Sequence, residues 1–482
     1  MNDVELHAVI SISVLIIDFF VRVGLVFYIP RKRKPTAALA WLFAITILPL
    51  IGTIIFLVIG STKLSRRRQE MQQQVDRMYH HFNQALIDAE LSGQPTPKYR
   101  GSAELATSLA ALAPTKHNSV RILNGYDTII SDMTAAVASA HSYVYVEFFA
   151  LALDKTTEPF FDALEAAVKR GISVYVLFDT LGSRKYPHYH AMQRRLTAIG
   201  ASWHKVLPIR FIPRQYNRPD LRNHRKIVVI DNTQAYLGSL NMIDKSYHRR
   251  DTIQYVELVT HIQGPAVNEA AAVFASDWYG ETEEILHHFL ENSAVHTNGQ
   301  SVVQIVPSGP AYPYRNNLKL FVDLIYKAQH SITITNPYLV PDESLLAALL
   351  SASLRGVHVS ILNSDAMDQW MVGHAQRSYY DELLSAGISI HLYKKPVLIH
   401  SKYMVIDEEV AIIGSSNLDI RSFELNLECS VIVYDNANAQ TLHAQHVKDL
   451  KKSSMVVLTH WRQRTKWRQL LDSIARLTSS VQ

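Results

Sequence analysis

NHRKIVVID at residues 223–231 and IHSKYMVID at residues 399–407 are two copies of one pattern, His-x-Lys-x4-Asp. The members are His224, Lys226 and Asp231 in the first copy and His400, Lys402 and Asp407 in the second. Each copy is followed at the same distance by a small-residue turn ending in Asn: Gly238-Ser239-Leu240-Asn241, then Gly414-Ser415-Ser416-Asn417. A lone His-x-Lys carries little information. Two copies that keep the same downstream residues predict a two-histidine active site divided between duplicated halves.

Both motifs lie in apolar, β-branched runs that read as strands. Residues i and i+2 share a strand face, so His224 and Lys226 point together, as do His400 and Lys402. Asp231 and Asp407 sit at odd spacing from the histidines and at strand ends, where they are expected to fix local structure rather than attack a substrate. Displacing an alcohol from a phosphodiester needs a nucleophile at phosphorus, an acid for the leaving oxygen and donors around the nonbridging oxygens. Two His, two Lys and two Asn can fill those roles, and paired histidines can take opposite protonation states.

The surrounding chain repeats as well. From Asn118 it alternates strand and helix patterns, and the same order returns after about Gln300. FFDALEAAVKRGISVYVLFD corresponds to SLLAALLSASLRGVHVSILN. The period is far too long for a solenoid, so two similar α/β domains packed together are expected.

At these residues the sequence resembles the phospholipase D superfamily, whose two such motifs form one pseudo-twofold site. The closer resemblance is to bacterial cardiolipin synthases of the phospholipase D type. It rests on RKRKPTAALAWLFAITILPLIG, RRDT before GPAV, Asp277-Trp278, NPYLVPD and GSSNLDIRSFELNLE, the last with Asp419, Arg421, Ser422, Phe423 and Asn426 in the family's pattern. The chain departs from it with Gly-Ser-Leu-Asn where many relatives have Gly-Gly, and with Arg249 or Arg250 where they often have Trp.

The resemblance implies a mixed β-sheet flanked by helices in each of two pseudo-twofold domains. It implies a phosphohistidine on His224, acid/base action by His400, and no required metal or cofactor. Lys226, Lys402, Asn241 and Asn417 would hold phosphoryl oxygens, helped by Ser239 and Ser415. A carboxylate beyond each Asn turn would orient each histidine: Glu428 for His400, and Asp251 for His224. The implied reaction moves a phosphatidyl group from one phosphatidylglycerol to another, giving cardiolipin and glycerol. A hydrolase, or a synthase using another phospholipid such as phosphatidylethanolamine, stays open as an alternative, with a nuclease more distant.

The N-terminal composition supports a membrane site for this chemistry. Ala38 to Ile59 is an uncharged apolar run of about 22 residues, long enough to cross ~30 Å of hydrocarbon as one helix. A run from about residue 8 to 29 is as long but contains Asp18 and Arg22, spaced to pair on one helical face. Basic residues follow both runs, Arg31 to Lys34 and Lys63 to Arg68, so a simple hairpin leaves the positive-inside rule nearly balanced. The expected location is the bacterial inner membrane, multi-pass, with the catalytic body cytoplasmic.

The expected organisation is therefore a membrane anchor (1–62), a connecting helix and linker (63–117), and two catalytic domains (118–298 and 299–482). In the connecting segment Met71, Val75, Met78, Tyr79, Phe82 and Leu86 recur at helical spacing, as for a helix packed on the body. The net charge of +5 fits an anionic partner, and lipid is expected rather than nucleic acid. The single cysteine, Cys429, cannot form an internal disulfide and is expected in a buried strand, and no Cys-x-x-Cys or His-Glu-x-x-His pattern suggests zinc. The basic stretch from Lys448 to Arg476, with Trp461 and Trp467, suits either a solvated helix or a membrane interface.

Overall fold

The computed structural model describes residues 3–33, 35–61, 63–88, 90–209, 216–247, 253–288 and 297–479. The chain divides into two compact units, Met1–Lys63 and Leu64–Gln482.

The first unit has three helices: α1 (Asp3–Lys32), α2 (Pro35–Ile47) and α3 (Ile51–Ile59). Among the described residues α1 is the one helix long and apolar enough to cross a membrane, over Glu5–Lys32. The Ala38–Ile59 run, expected to be one spanning helix, instead folds back on itself. Trp41 and Phe56 stack edge to face with ring centroids 5.2 Å apart, although 15 positions of straight helix would separate them by about 22 Å. The reversal has a local cause: Pro49 cannot donate to the helix, and Leu50 takes the left-handed region at φ 62°. Gly52 then permits close packing, since a Cβ there would lie 2.6 Å from the Ala44 carbonyl oxygen. With 13 and 9 residues, α2 and α3 reach only about 20 and 14 Å. Asp18 ties α1 to this bend. It pairs with Arg22 at 2.7 Å, as the spacing predicted, and accepts from the Leu50 N–H at 3.2 Å and the Thr53 hydroxyl at 3.1 Å.

In the second unit, the described residues build a sixteen-stranded mixed sheet with the duplication written into its order. Thr115–Asn124 and Ser301–Ser308 pair antiparallel at the centre. Outward from the first run Leu258–Gln263, Gln234–Gly238, Lys226–Ile230, Tyr143–Phe148, Ser173–Asp179 and Ser202–Val206. Outward from the second run their equivalents, Asn426–Val433, Val410–Gly414, Tyr403–Ile406, Ser331–Thr335, His358–Ser364 and Ser389–Tyr393. In each half the last three of these strands are parallel and the inner ones antiparallel, and Ser453–Met455 adds an antiparallel edge beyond Ser389–Tyr393. Helices cover both faces, which is why most strands are apolar at every position rather than at alternate ones. Cys429 is buried in strand Asn426–Val433.

The helix Arg66–Asp88 lies along the body, with Met71, Val75 and Tyr79 buried and the Tyr79 hydroxyl donating to the Ala272 carbonyl at 3.0 Å. The side chains of Phe82 and Leu86 lie outside the described residues. The C-terminal helix Lys466–Leu477 buries Asp472 and Ala475 but turns Trp467, Leu470, Ile474 and Leu477 outward. These four recur at three- and four-residue steps, so they form one exposed apolar stripe.

Asp231 and Asp407 do not face the cleft, although both belong to the motifs that predicted it. Asp231 accepts from the backbone N–H groups of His141, Ser142 and Tyr143 at 2.6–2.8 Å. Asp407 does the same for Gln329, His330 and Ser331 at 2.7–2.8 Å, and takes the Lys98 ammonium at 2.7 Å. Each sits at φ 52° where its motif strand turns, and there it pins the start of the neighbouring strand.

Candidate active site

Each histidine is placed by a strand of the opposite half. Arg222–Asn223 pairs in parallel with Asn426–Leu427, and the His224 N–H donates to the Leu427 carbonyl at 2.8 Å. Val397–Ile399 pairs in parallel with Gln254–Val256, and the His400 N–H donates to Val256 at 2.8 Å. The next residue on each partner strand is a glutamate, which therefore arrives beside the imidazole. Glu428 lies 3.0 Å from Nδ1 of His224, and Glu257 lies 2.8 Å from Nδ1 of His400.

This exchange corrects both expected carboxylates. Glu428 serves His224, not His400. The first half supplies Glu257 to His400, whereas Asp251, like Arg249 and Arg250, lies outside the described residues. Sequence comparison misplaced the first-half carboxylate because the stretch after the small-residue turn is five residues longer there: Glu257 is 18 positions beyond Ser239, while Glu428 is 13 beyond Ser415. A signal existed in Val256-Glu257-Leu258 and Leu427-Glu428-Cys429, each a glutamate flanked by apolar strand residues.

The serines are corrected too. Ser239 donates to Glu257 and Ser415 to Glu428, so they brace the carboxylates instead of facing a phosphate. Gly238 and Gly414 make that approach possible, because a Cβ on either would come within 2.4 Å of the Leu258 or Cys429 carbonyl oxygen.

Each lysine folds back under its histidine. Nζ of Lys226 donates to the His224 carbonyl and Nζ of Lys402 to the His400 carbonyl, both at 2.6 Å. His224, His400, Asn241 and Asn417 line a single open cavity of about 540 Å³. The Asn241 side-chain oxygen is occupied by the Ala150 N–H at 3.2 Å, which leaves its amide N–H groups for an anion. Phe149 packs edge-on against His224 at 5.1 Å and Tyr255 against His400 at 5.5 Å.

Burial sets the charge state of the site. It lowers His224 to about 4, against the pull of Glu428, and it lowers His400. It also brings Lys226 down to about 7 and Lys402 to about 8. Glu428 goes the other way: burial raises it, but His224, Lys226 and the Ser415 hydroxyl together bring it to about 2. At neutral pH His224 is thus a neutral imidazole whose Nδ1–H is held by a carboxylate anion, which leaves Nε2 with a free lone pair. An entering phosphate anion favours the protonated forms of the lysines and of one histidine.

Two histidines on one cavity, each bonded to a carboxylate from the other half of a doubled α/β sheet, form the paired arrangement expected of an enzyme of the phospholipase D type. Comparison with known proteins narrows this. The family model described as "Cardiolipin synthase, PLD-like domain" matches residues 133–278 and 321–450. Over 484 residues the chain is 31% identical to a cardiolipin synthase of Halalkalibacterium halodurans, covering 98% of this chain and 94% of that one. It is 29% identical to cardiolipin synthase A of Proteus mirabilis, covering 95% and 96%. The crystal structure of phosphatidylserine synthase from Haemophilus influenzae shares the fold, with a TM-score of 0.60 at 15% identity over 79% of this chain and all of that one. The chain belongs to the cardiolipin synthase family of phospholipase D-like proteins, a family of phosphatidyltransferases.

Proposed function

We propose that the protein is a cardiolipin synthase that transfers a phosphatidyl group between two phosphatidylglycerol molecules. The observation that carries this reading is the crossed pair His224–Glu428 and His400–Glu257 on one cavity. Nε2 of His224 attacks the phosphorus of the donor, the P–O bond to glycerol breaks, and His400, protonated when the donor phosphate binds, gives that oxygen its proton. A phosphatidyl-histidine remains. The primary hydroxyl of the second phosphatidylglycerol then gives its proton to His400 and its oxygen attacks phosphorus. The P–N bond to His224 breaks and cardiolipin leaves. One phosphodiester replaces another, so the exchange needs no nucleotide. Lys226, Lys402, Asn241 and Asn417 are assigned to the nonbridging oxygens.

Anchoring to the bacterial inner membrane with the body cytoplasmic fits the same reading. If α1 crosses and α2–α3 turns back within the bilayer, Arg31–Arg33 and Lys63–Arg68 lie on one side, as the positive-inside rule prefers. The stripe Trp467, Leu470, Ile474 and Leu477, bordered by Lys466, Arg468 and Arg476, suits the surface of an anionic bilayer, the expected partner, rather than nucleic acid.

A second donor is favoured by one observation. Asp368 accepts from the hydroxyls of Tyr338 at 2.6 Å and Tyr255 at 3.3 Å, an aromatic and acidic wall suited to an ammonium headgroup such as that of phosphatidylethanolamine. Purified protein in vesicles containing labelled phosphatidylglycerol, compared with His224→Ala and His400→Ala, tests the proposal. Cardiolipin and glycerol released together by wild type alone are expected. Ethanolamine release from mixed vesicles identifies the second donor, phosphatidic acid as sole product a hydrolase, and no lipid turnover by wild type sinks the reading.

A further inference from the structure

A cleft between duplicated halves should have two equivalent walls, and this one does not. Arg222 stands two residues before His224, and the equivalent position before His400 is Leu398, which is buried away from the cavity. Arg421 stands four residues after Asn417. Its equivalent after Asn241 is Lys245, which pairs with Asp127 at 2.7 Å and does not line the cavity.

Arg222 and Arg421 both line the cavity, on one lip. Arg421 donates to the Asp220 carbonyl at 2.7 Å, which holds it two residues from Arg222. Arg222 is 4% exposed, pairs with Asp179 at 3.3 Å and donates to the Leu207 carbonyl at 2.9 Å, while its Nε has no hydrogen-bond partner among the described residues. Lys185 joins this lip through Phe149: its Nζ is 5.7 Å from the ring that packs on His224. Asp419 also lines the lip, but its carboxylate is turned to the Ser422 N–H at 2.6 Å. The wall beside His400 carries Tyr255, Tyr338 and Asp368 instead.

One reacting phosphodiester is already served by the paired motifs, so two guanidiniums on a single lip, Arg222 buried and Arg421 half-buried, point to a second anion. We propose that Arg222 and Arg421 form a subsite for the phosphate of the accepting lipid, distinct from the phosphate that reacts. This rests on the transferase reading and names what it requires of the acceptor: a phosphate joined to the attacking hydroxyl by a short carbon bridge. Arg222 and His224 are two strand positions apart, about 7 Å, the scale of a glycerol bridge between two phosphates. In the second step the acceptor oxygen bonds to the phosphorus on His224, the P–N bond breaks, and the proton goes to His400 while the acceptor's own phosphate rests on the arginines. Bidentate guanidinium donors suit that anion.

The test sets two acceptors against each other in vesicles of phosphatidylcholine and acyl-labelled phosphatidylglycerol with 1-butanol present. Cardiolipin reports the phosphate-bearing acceptor and phosphatidylbutanol reports one without phosphate. In full-length Arg421→Gln the ratio of cardiolipin to phosphatidylbutanol is expected to fall about tenfold. Arg222→Leu, which copies the equivalent position, is expected to do the same and Arg222→Lys to recover part of it. Should burial make the Arg222 variants fold poorly, Arg421→Gln still decides. An unchanged ratio, or both products falling together, overturns the subsite. Wild type forming neither product would instead remove the transferase reading beneath it.

Discussion

His224 and Glu428 stand 204 positions apart in the chain and 3.0 Å apart in the fold, and His400 and Glu257 repeat the relationship at 2.8 Å in the opposite direction. Neither half holds a complete histidine–carboxylate pair. A complete pair needs the doubled domain, since separating the halves would strip both imidazoles of their carboxylates.

Glu428→Gln and Glu257→Gln test this crossing. Each keeps the side-chain shape but removes the charge that fixes the neutral tautomer and stabilises the imidazolium. Turnover of labelled phosphatidylglycerol is expected to drop by roughly 10²- to 10⁴-fold in either variant. Trapped phosphohistidine should be lost specifically in Glu428→Gln. Normal turnover in Glu257→Gln would mean that His400 takes its orientation elsewhere.

The pH dependence of kcat/KM follows from the shifts of the buried lysines and His224. As pH rises through about 7 to 8, Lys226 and Lys402 lose the charges that attract phosphate, so kcat/KM should decline. As pH falls toward about 4, His224 gains a proton and loses its nucleophilic lone pair, giving the acidic limb. Lys226→Arg, at the lysine that loses its charge first, should move the alkaline limb upward, and an unmoved limb would assign it to another group.

Buried Lys226 should cost stability. Its folded pKa, about 7, is below its ordinary 10.5, so between these values the unfolded chain binds more protons and stability rises with pH. At pH 7 nearly the whole penalty is present. Lys226→Met is expected to abolish turnover yet stabilise the protein at pH 7 by roughly 1–3 kcal/mol, with the gain shrinking toward pH 10. Denaturant midpoints at both pH values measure it, and a destabilised variant at pH 7 would refute it.

Asp231→Ala removes an acceptor shared by three backbone N–H groups and should destabilise the fold by about 2–4 kcal/mol. Turnover per folded molecule should stay close to wild type at low temperature. A collapse of turnover in fully folded protein would give Asp231 a chemical role. At Asp407, burial works against ionisation, but Lys98 and three N–H groups hold the carboxyl below its ordinary value. Its contribution is therefore complete above about pH 4 and lost as acid protonates it.

The folded-back α2–α3 segment predicts that Arg33 and Lys63 share one side of the membrane. Cys429 is buried and its thiol is raised to about 12 by that burial, so it gives little background labelling. Cysteines introduced at Arg33 and Lys63 should both react with an impermeant maleimide only in opened cells. Labelling of one from each side would show that the segment crosses.

The sequence by itself determined the duplication, the two histidines and the lysines behind them, because strand alternation and the repeated His-x-Lys are local properties of a few consecutive residues. It also exposed the Asp18–Arg22 pair, which needs only one helical turn. Tertiary structure alone decided which carboxylate serves which histidine, since parallel pairing of Arg222–Asn223 with Asn426–Leu427 joins residues two hundred positions apart. It also turned Ser239 and Ser415 toward those carboxylates and reversed the Ala38–Ile59 run, where hydropathy counts apolar residues but does not register a bend at Pro49. The unequal lips of the cleft belong to the same class. Arg222 and Arg421 come to line the same cavity only when a short strand and a short helix, far apart in the chain, are folded together.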